Sequence, residues 1–229
     1  MPVFKLICEG ITDQIVIESI LVGHFNNGDI EVDCLQSLRD ATDENKATDA
    51  GWHKVFEYCK SSVFRGAFQQ EDSYIIIQID TDIFKGDSVS EEYGINTKDS
   101  NGTDLTVHEL INNVVAKFIE TIGEDFYKKE EERIIFAISV DSIECWLLPL
   151  YYQDNRKSKT VNCLKTLNEA LAKKEGFTID AKNPQYYRKI IKPYQKQKTL
   201  YKYQNENLSF HIFIENVEAK GIVIEKEDW

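Results

Sequence analysis

An almost unbroken apolar run at residues 74–79, Tyr-Ile-Ile-Ile-Gln-Ile, constrains this chain more than any other segment. It has the pattern of a parallel strand covered on both faces, which requires helices above and below a sheet. Apolar runs at 3–8 and 134–139 repeat that pattern, and residues 30–36 alternate as a further strand would. Between and after them the spacing predicts helices up to about Phe25, over 51–64, from Asp104 onward with Val107, Leu110, Ile111, Val114, Val115 and Phe118 inside, and over 160–175, 184–203 and 207–218, the last with a strand as the alternative. Thr12 or Asp13 can cap the first of these, and a short helix is expected to begin at Ser142 with Asp141 as its cap. The polar stretch 37–49 and the segment 85–103 read as loops. The expected class is α/β: a mostly parallel sheet flanked by helices in residues 1–152, with a helical extension over 153–229 packed on the same domain.

The strands end in acids. Glu9 closes the first run, Asp80 and Asp82 close the third, and Glu144 follows the last. In an open α/β sheet such positions project into the crevice beyond the carboxyl ends of the strands. Three strands delivering carboxylates to one edge make an all-oxygen pocket suited to Mg²⁺ or Mn²⁺.

Each acid also has a plain alternative. Gly10 and Asp13 suit an ordinary turn and helix cap. Asp80 and Asp82 share one face of a strand end, where like charges repel unless a cation or proton intervenes; a water-facing loop pair is the alternative, but next to a fully apolar strand the metal reading is favoured. Glu144 stands alone in the apolar stretch Ile143-Glu144-Cys145-Trp146-Leu147-Leu148; acids are seldom buried unless paired or metal-bound, although a helix start also favours a carboxylate.

The chain has 229 residues and a net charge of −12, which argues against general coating of nucleic acid. The charge is uneven. Residues 181–204 carry Lys182, Arg188, Lys189, Lys192, Lys196, Lys198 and Lys202, with five interleaved tyrosines and no acid. Residues 155–168 add Arg156, Lys157, Lys159 and Lys165, again without an acid. Cations with stackable aromatics suit a nucleic-acid track, and Arg156, Lys157, Lys159, Arg188, Lys189, Lys192, Lys196 and Lys198 are its candidate contacts. A solvated helix face, or pairing with the protein's own acids, is the alternative.

The cysteines Cys8, Cys34, Cys59, Cys145 and Cys163 form no CxxC pair, so buried reduced thiols are expected. His24, His53, His108 and His211 lack the spacing of a zinc site. The charged N-terminal residues do not read as a signal peptide, and no apolar run approaches the ~20 residues of a membrane span. A cytoplasmic protein without membrane contact is the expectation.

Taken in order, Glu9-Gly10-x-Thr12-Asp13, Asp80-x-Asp82 and Ser139-x-x-x-Ile143-Glu144-x-Trp146-Leu147-Leu148 resemble a Toprim domain. More narrowly, they are similar to the small Toprim-like proteins of the RloB and OLD-nuclease type, found in bacterial restriction and anti-phage loci. The resemblance spans roughly residues 3–150 and rests on the order and spacing of short motifs. It departs from the RloB-type pattern at Asp13, where that pattern prefers Glu, at Asp141-Ser142 in place of Asn-Pro, and at Leu150-Tyr151 in place of His-Phe. What the resemblance implies is a catalytic set of Glu9, Asp80 and Asp82, with Glu9 as general acid/base or metal ligand. Asp13, Asp80 and Asp82 become metal ligands, and Glu144 a candidate ligand for a second metal.

The function expected on these grounds is a Mg²⁺- or Mn²⁺-dependent nuclease hydrolysing DNA or RNA as an effector of prokaryotic anti-phage defence. A homodimer is compatible with it. Its main rival is a non-catalytic or partner-activated subunit docked on a defence ATPase, since the chain has no GxxxxGK[ST] of its own. A glycosyltransferase Asp-x-Asp explains Asp80 and Asp82 but has no need of Glu9-Gly10. A haloacid-dehalogenase phosphatase is weaker, because its nucleophilic aspartate ends the first strand.

Overall fold

In a computed structural model, which describes residues 2–39, 47, 48, 50–180 and 182–224, the chain folds as α/β around four parallel strands. They are β1 (Val3–Ile7), β2 (Glu31–Gln36), β5 (Ser73–Asp80) and β6 (Ile134–Ser139), in the order β2-β1-β5-β6. Two-residue strands β3 (Leu38–Arg39) and β4 (Ala47–Thr48) form a separate antiparallel ladder. Residues 40–46 and 49 of the polar stretch at 37–49 lie outside the described residues.

Helices α1 (Ile11–Phe25), α2 (Trp52–Lys60), α3 (Ser62–Gly66), α4 (Asp87–Tyr93), α5 (Val107–Ile122) and α6 (Glu124–Glu130) connect the strands. After β6 come α7 (Leu148–Tyr151), α8 (Cys163–Lys174), α9 (Pro184–Ile191), α10 (Gln197–Tyr203) and α11 (Leu208–Glu218).

The layers follow from strand order. From β1 the chain crosses to β2 on one side, and from β5 it crosses to β6 on the other. Right-handed crossovers in opposite directions place their helices on opposite faces of the sheet. Accordingly Phe4, Leu6, Ile76, Ile135 and Ala137 pack with α1. Ile7, Ile75, Ile77, Ile79, Ile134, Phe136 and Ile138 pack with α2 and α5. The reversal of direction falls between β1 and β5, so the crevice of this fold opens at their carboxyl ends, between Glu9 and Asp80.

The segment after residue 153 completes the α1 face. Trp146 is fully buried, with ring centroids 5.3 Å from both Phe210 and Phe213, and its Nε1–H donates to Ser209 Oγ at 2.9 Å. Helix α9 lies along α1, with Tyr187 and Tyr194 fully buried in the shared core. The approach is close at one point: a Cβ on Gly23 would lie 1.8 Å from the Tyr194 carbonyl oxygen. Because that neighbour is backbone, relief needs the two segments to part, and Gly23→Ala is expected to cost about 3 kcal/mol or more. Urea unfolding measures it; an unchanged midpoint would show that the contact is not as tight as described.

Several local expectations are corrected. Residues 87–93 within the expected 85–103 loop form α4; its end is marked by Gly94 in the left-handed region at φ 65°. Helix α5 starts at Val107 rather than at Asp104, because Thr106 and Glu109 form a reciprocal capping box. The helix expected over 51–64 breaks at Ser61, whose side chain caps α3, and the one over 184–203 breaks around Pro193. Gly10 occupies the cap position of α1, leaving Thr12 and Asp13 inside its first turn. Ser142, not Asp141, is the cap residue of the turn at 143–147.

Candidate active site

Glu9 leaves β1 in a turn pinned from outside. Its carbonyl accepts the Gly51 N–H at 2.8 Å, and Gly51 enters α2 at φ 119°, a conformation that suits glycine. Its side chain turns toward β5, where Oε1 accepts the Asp80 N–H at 2.9 Å. The ends of the two central strands are thus joined through a carboxylate. Asp13 comes from the first turn of α1 and folds back over the Gly10 turn: a Cβ at Gly10 would lie 3.5 Å from its Oδ2.

Asp80 is the last residue of β5 and lies on the same strand face as Ile76 and Gln78. Gln78 Nε2 donates to its Oδ1 at 2.9 Å. Asp82 begins the following 3₁₀ turn and is exposed at the rim; its N–H donates to the Asp141 carbonyl at 2.9 Å. Glu144 is buried beneath the site, where its Oε1 accepts from Tyr187 Oη–H.

Asp13, Asp80 and Glu144 are 3%, 5% and 1% exposed, an unusual density of buried carboxylates. Burial, then the neighbouring Asp13 charge, pushes Glu9 up to about 8. Burial raises Asp13 to about 6 against the opposing pull of Lys182, with Glu144 adding to the rise. Asp80 is driven well above the usual carboxylate range by burial and then by Asp13, Glu9 and Glu144. Asp82 is raised by burial and by Asp141.

Lys182 answers this cluster from the rim. Lys182 has backbone φ 46° in the left-handed region. Burial draws its ammonium down, but Asp13, Glu144, Asp80 and Glu9 outweigh that and hold it above the ordinary lysine range.

The donors fit a hard divalent cation. They are all oxygens, their charges exceed what Lys182 offsets, and Asp13 Oδ1 is buried with no hydrogen-bond partner. The arrangement is open rather than a closed cage. Among the described residues, the set of three ligating atoms mutually within 4.8 Å is Asp141, Cys145 and Cys163, not the expected carboxylates. Water would have to complete the shell of an ion held at Glu9, Asp13 and Asp80, as it commonly does for Mg²⁺.

The Asp141 set is not a metal centre, because Cys145 and Cys163 are joined in a disulfide. This corrects the expectation of reduced thiols for Cys145 and Cys163; Cys8, Cys34 and Cys59 keep their thiols. The fold brings the first residue of α8 beside the turn at 143–147, a proximity that a separation of 18 residues does not announce.

Four residues of the site were missed or misplaced by sequence reasoning. Asp141, read as a cap, sits at φ 69° with Oδ1 paired to Lys85 and Oδ2 accepting the Cys163 N–H at 2.9 Å. Lys182 and Tyr187 stood in the sequence as members of a basic, aromatic tract. Lys85 stood at the head of a loop. Tyr187→Phe is expected to lower stability by about 1–3 kcal/mol, because Glu144 keeps its burial and loses its donor. Urea unfolding tests this, and an unchanged midpoint would mean that the contact contributes nothing.

Several of the candidate nucleic-acid cations are engaged within the chain. Arg156 is paired with Asp154 and lies over Tyr152, Lys157 pairs with Glu206, and Lys159 donates to Thr166 Oγ1 at 2.8 Å. Lys189 pairs with Glu175, and Arg188 lies beside Glu18 and Ser19 on a groove along α1. Lys192, Lys196 and Lys198 are exposed around Tyr194, at the Gly23 end of α1. That end is about 15 Å along the helix from Asp13. Part of the basic tract therefore answers the protein's own acids.

No helix among the described residues is long and apolar enough to cross a membrane. Comparisons with protein-family models, with curated proteins and with solved structures find no match to this chain.

Proposed function

We propose that the protein is a Mg²⁺- or Mn²⁺-dependent nuclease whose centre is the carboxylate cluster at the β1/β5 switch point. The observation that carries this reading is the meeting of Glu9, Asp13 and Asp80 at that crevice, with Asp13 Oδ1 buried and unpartnered. The resemblance of these same positions to Toprim motifs supports a phosphodiester substrate and a place in anti-phage defence.

Glu9, Asp13 and Asp80 would hold the ion, with Asp82 at the rim and Glu144 beneath as further ligands. When bound, the ion would activate a water and offset charge building on the phosphoryl oxygens. The residues themselves divide the remaining work. Glu9 keeps Oε1 on the Asp80 N–H, which leaves Oε2 either to face the ion or, in place of that, to take or return a proton. Gln78 orients Asp80, and Tyr187 fixes Glu144. Lys182 offsets part of the cluster's negative charge as an anionic substrate approaches.

The test is cleavage of supercoiled plasmid, single-stranded DNA and tRNA with Mg²⁺, Mn²⁺ or chelator. Metal-dependent cutting that is lost in Asp80→Asn supports the reading. If nothing is cut while the wild type still binds the metal, the isolated chain is not the nuclease, and a subunit activated by a defence ATPase becomes the better account.

A further inference from the structure

A cavity of about 370 Å³ opens beside the carboxylates, within the size range of small-molecule sites. Its floor includes Thr81, the residue between Asp80 and Asp82, and Asp141, whose N–H donates to Thr81 Oγ1 at 2.9 Å. Much of its wall is aliphatic, from Leu105, Val107, Leu110, Val140 and Val161, the last 50% exposed, with Thr97, Asp104 and Thr160 completing the lining. Lys85, which pairs with Asp141, and Lys98, which is exposed, stand on its margin.

A second hollow of about 520 Å³ shares Lys85, Thr97 and Lys98 with the first, and is otherwise mostly polar, with Ser90, Asn96, Asp99 and Ser100. The two lysines therefore stand between an apolar compartment next to the carboxylates and a polar one beyond.

We infer that the apolar cavity receives one unpaired base of a polynucleotide, with the backbone phosphate on its far side lying over Lys85 and Lys98. This rests on the nuclease reading and specifies its substrate as single-stranded or locally unpaired. A base has apolar faces that aliphatic walls can sandwich, and it can enter such a slot only when it is out of a duplex. The paired compartments favour a unit within a chain over a free nucleotide, because a free nucleotide leaves the second hollow unused.

The experiment uses the whole chain and a fluorescent ten-nucleotide DNA, single-stranded or in duplex, and a series with one abasic site at each position. Cleavage is followed in Mn²⁺ and binding in Ca²⁺. Two variants lie at exposed positions: Val161→Trp to fill the cavity, and Lys98→Glu to reverse the ridge charge. Removing one base contact is expected to cost about tenfold or more, the order of a lost stacking interaction.

The single strand should be cut at least about tenfold faster than the duplex, and one abasic position should slow cutting by a similar factor. Val161→Trp should slow cutting of the normal strand and abolish its advantage over the abasic one, while Lys98→Glu weakens binding of both. If cutting is metal-dependent but indifferent to the abasic series and to Val161→Trp, the cavity assignment fails and the nuclease stands. If nothing is cut, the nuclease reading fails and binding decides the cavity: weaker binding of the abasic strand and of Val161→Trp supports it, and equal binding overturns it. If adenosine monophosphate displaces the oligonucleotide as well as the dinucleotide pApA does, the site takes free nucleotides and the polynucleotide assignment is overturned.

Discussion

Asp80→Asn is expected to reduce metal-dependent cleavage by about 10³-fold or more, the order lost when a group that stabilises transition-state charge is removed. The same substitution is expected to make the metal-free protein more stable at pH 8. The asparagine keeps an oxygen for Gln78 and leaves the backbone N–H to Glu9, so the geometry has little reason to change. What changes is the loss of a buried acid whose charged form burial, Glu9, Asp13 and Glu144 disfavour. A purely structural aspartate would show the opposite stability effect. Lost cleavage with raised stability in chelator is therefore a joint signature, read by initial rates and by thermal unfolding of one preparation.

The second large effect is the pH dependence of stability without metal. Glu9 rises from its ordinary 4.5 to about 8 and Asp13 from 3.8 to about 6, and Asp80 also rises. Between about pH 4 and pH 8 the folded protein therefore holds protons that the unfolded chain has released. Stability is full below the unfolded values and is lost as pH climbs through the folded ones. For buried, mutually repelling groups the loss is of the order of several kcal/mol, or about 10 °C in Tm for a chain of this size.

In chelator, Tm should thus fall by about that much between pH 5.5 and pH 8.5. Mn²⁺ should restore most of it at pH 8.5 and little at pH 5.5, where protons compete for the same oxygens. Asp80→Asn should flatten the profile. A Tm that is flat or rises with pH in chelator would show that the carboxylates are not coupled in the way described.

The sheet was legible because its strands are nearly continuous apolar runs ending in acids, a pattern few other structures tolerate. The placing of Glu9 and Asp80 at one edge followed from that pattern alone. Helix α4 was not legible, since its residues Asp87–Tyr93 carry no apolar period, and its end depends on Gly94 and on the Ile95 N–H bonding back to the Ser90 carbonyl.

The second half of the site was hidden for a different reason. Tyr187 reaches Glu144, and Lys182 reaches the cluster, only because α9 packs along α1, and that contact joins segments some 170 residues apart. No local pattern records it. The basic stretches were legible as charge alone: a run of lysines does not record that Glu175 and Glu206 come to meet Lys189 and Lys157. Glu144 was the exception, because an isolated acid in an apolar stretch asks for a partner wherever the chain folds.

The most direct test of the central claim is an anomalous-difference map from crystals of the protein soaked in Mn²⁺. The account predicts a peak in the crevice between Glu9, Asp13 and Asp80, absent in Asp80→Asn crystals. A map with no peak there, or with Mn²⁺ only at surface acids, would contradict it.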